Sequence, residues 1–161
     1  MNQEILMLVK TLFQALGERQ LILATAESCT GGLLAATITA VAGSSAYFDR
    51  GFIVYSNLAK IEELGVTSKT IETFGAVSEE TAIAMAQGTL SHSCATISIA
   101  ITGIAGPGGT TQQKSPGTVT FAVAYAGGVQ STTKHFMGDR EQVRERSVKF
   151  ALELLLDIIK N

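Results

Sequence analysis

With 161 residues the chain has the length of one globular domain and can bury a single substantial core. Hydrophobic residues make up 46% and charged residues 16%, and the formal net charge is -2, so no broad basic field is present to hold nucleic acid non-specifically. Two cysteines, Cys29 and Cys94, are too few for a multi-disulfide framework and sit in neither a CxxC pair nor zinc-ligand spacing, which reads as two buried, reduced thiols.

In chain order, Ile5, Val9, Leu12, Phe13 and Leu16 recur at helical spacing, predicting a helix over about residues 2–16 with Gly17 as its stop. Glu4, Lys10 and Gln14 interrupt the apolar run, and no basic n-region or small-residue cleavage site accompanies it, so a signal peptide or membrane span is not expected here. Leu21 to Ala26 is an apolar run of strand length that leads into Glu27-Ser28-Cys29-Thr30-Gly31-Gly32 and then into LLAATITAV, a strand, tight turn and helix. Phe52 to Tyr55 reads as a second strand, and Asn57 as the cap of a short helix containing Lys60 and Leu64. A helix across 78–91, capped by Ser78, precedes a buried strand over Cys94 to Thr102. Residues 117–126 and 129–137 form a hairpin around Gly127-Gly128, and Asp139 with Gln142 makes a capping box for a long last helix whose buried stripe is Val143, Val148, Leu152, Leu155 and Ile159.

The apolar stretches 94–105 and 117–129 fall short of the roughly 18 uninterrupted residues of a transmembrane helix, so a cytoplasmic protein is expected, without a membrane partner. Alternating helices and strands followed by a hairpin and a helix imply one α/β domain over 1–161, a three-layer α/β/α sandwich with a mixed, mostly parallel sheet.

Two constellations can carry chemistry. Ser28 sits at a strand-to-helix turn, where open α/β sheets place their ligands, and Thr30, Gly31 and Gly32 bring backbone N–H groups toward a helix N-terminus that favours an oxyanion or phosphate. Against this stands the plainer reading of a capped helix start with glycines that permit a sharp turn. The serine needs a base: either a triad with His135 and Asp139, or Lys60 alone or together with Tyr55, a lysine desolvated beside a pocket being able to accept a proton. Ala26 and Thr30 stand where a GxSxG elbow has glycines, Gly31 stands where S-x-x-K has its lysine, and no GxGxxG follows the first strand. The second constellation is the run Thr102-Gly103-Ile104-Ala105-Gly106-Pro107-Gly108-Gly109, which exposes backbone donors but lacks the Lys-Ser/Thr ending of a P-loop. Arg140 and Arg144, four apart at the start of the last helix, either bind a phosphate or pair with Glu141 and Glu145.

Taken together, AESCTGG (26–32), GFIVYSNLAK (51–60), GAVS (75–78), TGIAGPGG (102–109), Gly117-Thr118-Val119 and Gly138-Asp139-Arg140 with Arg144 resemble the CinA C-terminal family, also described as nicotinamide-nucleotide amidohydrolases. The resemblance spans nearly the whole chain. It implies deamidation of nicotinamide mononucleotide to nicotinate mononucleotide and ammonia through an acyl-enzyme on Ser28, with Tyr55 and Lys60 in the base network and amides around Thr30, Gly31 and Gly32 holding the oxyanion. Thr102, Gly103, Gly106, Gly108, Arg140 and Arg144 would orient the nucleotide and its phosphate. The chemistry implied calls for no metal and no other cofactor. The partner implied is the mononucleotide substrate, and with the apolar composition the resemblance suggests a homodimer or other homo-oligomer. The competing function is a non-catalytic nucleotide-binding or regulatory module related to competence or damage, which would keep the phosphate features and have no need of Ser28 with Tyr55 and Lys60.

Overall fold

A computed structural model describes residues 2–107 and 114–161. Helix α1 (Gln3–Arg19) opens the chain, followed by β1 (Leu23–Glu27), α2 (Leu33–Thr39), a short 3-10 turn and β2 (Phe48–Ile53). Helices α3 (Asn57–Leu64), α4 (Ser68–Phe74) and α5 (Glu79–Ser91) then lead to β3 (Ile97–Gly103), the hairpin β4 (Thr118–Tyr125) and β5 (Gly128–His135), and finally α6 (Arg140–Lys160).

The strands form one sheet in the order β2-β1-β3-β4-β5. β1 runs parallel to both β2 and β3, and β4 is antiparallel to both of its neighbours. Only β4 therefore opposes the direction of the other strands, and the sheet is mixed as the sequence leads one to expect. Pairing of Tyr125 with Gly128 leaves Ala126 and Gly127 as a two-residue hairpin turn.

Period-two alternation sorts the strand residues between two cores. Ile97, Ile99 and Ile101 of β3 and Val119, Phe121 and Val123 of β4 join the core built with α1, α2 and α6. Ala100, Ala122 and Ala124 face the other way, packing with Ala82, Met85 and Ala86 of α5 and with Val54 and Leu64. The small residues let α5 lie close to the sheet. Because β1→α2→β2 moves outward along the sheet and β2→α3–α5→β3 returns past β1, right-handed crossovers put α2 and α3–α5 on opposite faces. The chain thus reverses its winding between β1 and β3, and a crevice opens at their carboxyl ends.

Several boundaries differ from those expected. α1 continues through Gly17 to Arg19 and ends on Gln20 in the left-handed conformation; Gly17 answers a packing demand, since a Cβ there would stand 3.2 Å from the Tyr47 ring. Ser56, and not Asn57, caps α3, its hydroxyl accepting from the Ala59 amide. β2 starts four residues earlier than the expected strand and ends at Ile53, because it is an edge strand whose exposed Asp49 and Arg50 hide the apolar pattern. α4 went unanticipated, at seven residues too short to display a helical period. The Asp139–Gln142 capping box is present in full, and the expected stripe of α6 is buried, whereas of the two cysteines expected to be buried only Cys29 is, Cys94 being exposed just before β3. No helix among the described residues is long and apolar enough to cross a membrane.

One close approach fixes the position of α3. A Cβ on Gly88 of α5 would lie 2.0 Å from the Leu64 carbonyl oxygen, so the two helices touch through a bare backbone. Gly88→Ala should push α3 outward and cost about 2 kcal/mol, the usual scale of overpacking. Urea denaturation checks this, and wild-type stability in the variant would show the contact to be slack.

Candidate active site

The carboxyl ends of β1, β2 and β3 open onto a cavity of about 610 Å³. Glu27 and Ser28 are consecutive, so the strand alternation sends them to opposite faces. Glu27, buried, turns toward α2 and accepts from the Leu34 and Ala35 amides at 2.9 and 3.0 Å. The helix cap, Gly32, has no side chain to satisfy those N–H groups, and the carboxylate both replaces it and complements the positive helix terminus. Sequence reasoning missed this role; an acid directly after an apolar strand and before a glycine-capped helix was the available signal.

Ser28 turns instead toward α3. Its Oγ lies 3.1 Å from Lys60 Nζ and donates weakly to the Tyr55 carbonyl at 3.3 Å. Lys60 is 1% exposed and also donates to the carbonyls of Val54 and Tyr55, each at 3.1 Å. Among the described residues no carboxylate pairs with the amine, and burial pulls its pKa down to about 8, partly opposed by the neighbouring Cys29. A neutral Lys60 can keep the two 3.1 Å carbonyl bonds with its two N–H groups, releasing the 3.5 Å one to the Ser56 carbonyl, and present its lone pair to Ser28. Cys29, the neighbour of the serine, is pushed up to about 11, first by burial and then by the Glu27 carboxylate, and stays a neutral thiol near pH 7.

Tyr55 enters this network through its backbone. Val54 points into the core, so the next side chain points out: the Tyr55 phenol is 62% exposed and accepts from Arg140 Nη2 at 3.1 Å, while its carbonyl meets Ser28 and Lys60. Arg140 also donates to the Gly106 carbonyl at 2.9 Å, tying the start of α6 to the loop after β3 and to Tyr55 across the cavity mouth.

Ser28, Tyr55 and Lys60 therefore line one cavity, and Thr102, Gly103, Gly106 and Arg140 line it with them. Thr102 is occupied, its hydroxyl donating to the Ala76 carbonyl at 2.8 Å, which holds the segment after α4 against β3. Arg144 does not line the cavity; one turn deeper than Arg140, it donates to the Thr30 carbonyl at 3.0 Å and braces the turn from behind. Within that turn Gly31 and Gly32 take positive φ, and the Gly31 amide donates to the Ser28 carbonyl. The Thr30 and Gly32 amides meet no acceptor among the described residues. The Thr30 hydroxyl is buried, without a partner among the described residues. Gly108 lies outside the described residues. His135 and Asp139, the other base arrangement, stand apart from Ser28: neither lines the cavity, and the Asp139 carboxylate caps α6. Cavity-lining residues that the sequence did not single out include Glu72, Phe74 and Lys114.

Comparison with known proteins agrees with this geometry. The family model described as the CinA C-terminal domain matches residues 6–159. The nicotinamide-nucleotide amidohydrolase PncC of Escherichia coli K12 is 45% identical over 155 residues, covering 96% of this chain and 94% of the relative, and its namesake from Enterobacter agglomerans is 51% identical over 138 residues, covering 84% of each. A longer relative from Caldicellulosiruptor saccharolyticus, named for competence-damage induction, is 48% identical, and this chain spans only 38% of its length. Among solved structures, a CinA superfamily protein from Klebsiella pneumoniae superposes with TM-score 0.95 at 38% identity, covering 98% of this chain and 99% of that one. A serine, a buried lysine and a glycine-rich loop at the carboxyl edge of this sheet, with matches running nearly end to end, assign the chain to the CinA C-terminal domain family.

Proposed function

We propose that this protein hydrolyses the carboxamide of nicotinamide mononucleotide, releasing ammonia and nicotinate mononucleotide, with Ser28 as the nucleophile. The observation that carries the mechanism is the 3.1 Å approach of Ser28 Oγ to a buried lysine whose pKa is lowered to about 8. The names of the E. coli and E. agglomerans relatives supply the substrate class.

Ser28 Oγ attacks the carboxamide carbon while neutral Lys60 takes the hydroxyl proton. Negative charge collects on the former carbonyl oxygen, and the free amides of Thr30 and Gly32 are the donors proposed for it. The Lys60 ammonium then passes its proton to the departing nitrogen, the C–N bond breaks, and ammonia leaves an ester on Ser28. Water, activated by the regenerated amine, adds to that ester and frees the acid. Arg140, with Gly103 and Gly106, orients the nucleotide and its phosphate, while Thr102 shapes the cavity wall and Arg144 holds the turn. The proposal includes a cytoplasmic homodimer or other homo-oligomer, supported by the apolar composition.

Ammonia release from nicotinamide mononucleotide, with free nicotinamide and glutamine as comparison substrates, tests the reading. Turnover should be confined to the mononucleotide, and Arg140→Ala should raise KM about tenfold or more, the worth of a charge-assisted phosphate contact. Turnover of nicotinamide at the same efficiency would remove the nucleotide from the reading, and no release from any of the three would favour a binding module.

A further inference from the structure

Among the described residues, six large apolar side chains stand exposed, and two of them, Tyr55 at 62% and Phe74 at 49%, line the cavity that holds Ser28 and Lys60. Aromatic surface left facing water inside a concavity is the expected state of a ring-binding wall before its ligand arrives. The wall is also built to hold its place. Directly after Phe74, the Gly75 carbonyl accepts from the hydroxyls of Ser78 and Thr81 at 2.8 and 2.7 Å, and the Ala76 carbonyl accepts from Thr102 at 2.8 Å.

Charge is distributed unevenly around the same cavity. Glu72, on α4 with Phe74, is the only carboxylate among its described lining residues, whereas its cations are Lys60, Lys114 and Arg140. α4 packs against α5 on one face of the sheet, while Arg140 begins α6 on the other, with its guanidinium at the Gly106 loop. The cavity thus sets Phe74 and Glu72 from one layer against Arg140 from the other, with Lys60 of α3, in the Glu72 layer, beside Ser28. A nicotinamide mononucleotide has the same polarity, with a quaternary pyridinium at one end and a phosphate at the other.

We infer that Phe74, with Glu72, forms a subsite for a positively charged pyridinium ring, so that the protein selects the oxidised, cationic nucleotide over its uncharged dihydropyridine form. The inference rests on the proposed activity and adds to it the residues that read the ring. Attraction between a cation and an aromatic face, reinforced by a carboxylate, disappears when the ring is reduced, while the phosphate contacts stay the same.

Calorimetric titration of the Ser28→Ala protein with oxidised and reduced nicotinamide mononucleotide tests this without turnover. The oxidised form should bind at least fivefold more tightly. In that background Phe74→Leu should weaken the oxidised form about fivefold and the reduced form less than twofold, Phe74→Tyr should restore the preference, and Glu72→Gln should lower it by a smaller factor. Equal affinity for the two nucleotides, or equal weakening of both by Phe74→Leu, would overturn the subsite while leaving the amidohydrolase reading intact. Binding of neither nucleotide, together with no ammonia release by the unsubstituted protein, would overturn both.

Discussion

Ser28→Ala should lower ammonia release from nicotinamide mononucleotide by about four orders of magnitude or more, while the dissociation constant of the nucleotide changes less than about threefold. The loss is large because no other group nearby can take over the attack. Cys29, the adjacent residue, is held neutral with its pKa pushed up to about 11, and the Thr30 hydroxyl is buried. Binding survives because the proposed phosphate and ring contacts come from Arg140, the loop after β3 and the end of α4, none of which touches the serine hydroxyl. The turn survives as well: its shape comes from Gly31 and Gly32 in the left-handed region, the Arg144 bond to Thr30 and the Glu27 bonds to α2, all of which the alanine retains. Nucleotide titration and single-turnover ammonia assays on the same preparation separate the two effects. A variant that keeps a tenth of its turnover would show that water attacks directly and that Ser28 is a hydrogen-bonding residue.

Much of the architecture could be read from periodicity because the buried positions are regular. The α6 stripe, the Ser78 cap and the strand β3 follow from spacing and cap chemistry alone. What escaped was either short or exposed: α4 has too few residues for a period, and β2, on the sheet edge, alternates too little for its strand to begin where its apolar residues do. The site divides along a similar line. Ser28 and Lys60 are 32 residues apart, and nothing local in the sequence brings them together; the family resemblance paired them, and the packing of α3 against α5 through Gly88 shows physically how the lysine is placed. The sequence offers Tyr55 as a partner of Lys60 in the base network, and the alternation at Val54 delivers its carbonyl to the serine and lysine and its ring to the cavity mouth. Arg140 and Arg144 look equivalent at four-residue spacing, but one turn of rise separates a residue at the mouth from one beneath the turn. Such distinctions depend on what lies opposite each side chain, which is a property of the tertiary packing.

Lys60 should set the pH dependence of the reaction. Its pKa is depressed because burial disfavours the ammonium more than the neighbouring Cys29 favours it, so the charged form dominates below about pH 8 and the neutral base above it. Only the neutral form has a lone pair for the Ser28 proton. kcat/KM, which reports on the free enzyme, should therefore fall about tenfold per pH unit below that point and reach a plateau above it. At pH 7 roughly one tenth of the molecules carry the neutral amine, a cost the enzyme accepts in exchange for a base whose conjugate acid is strong enough to protonate the departing nitrogen. Lys60→Met keeps the apolar stem and removes the amine; it should lose three to four orders of magnitude in turnover and, with them, the pH limb. Loss of the amine also leaves the Val54 carbonyl without its Lys60 partner, so circular dichroism and urea denaturation of the variant must accompany the assay. A folded Lys60→Met protein that retains the wild-type limb near pH 8 would assign the proton acceptor to another group and dismantle the serine–lysine pair.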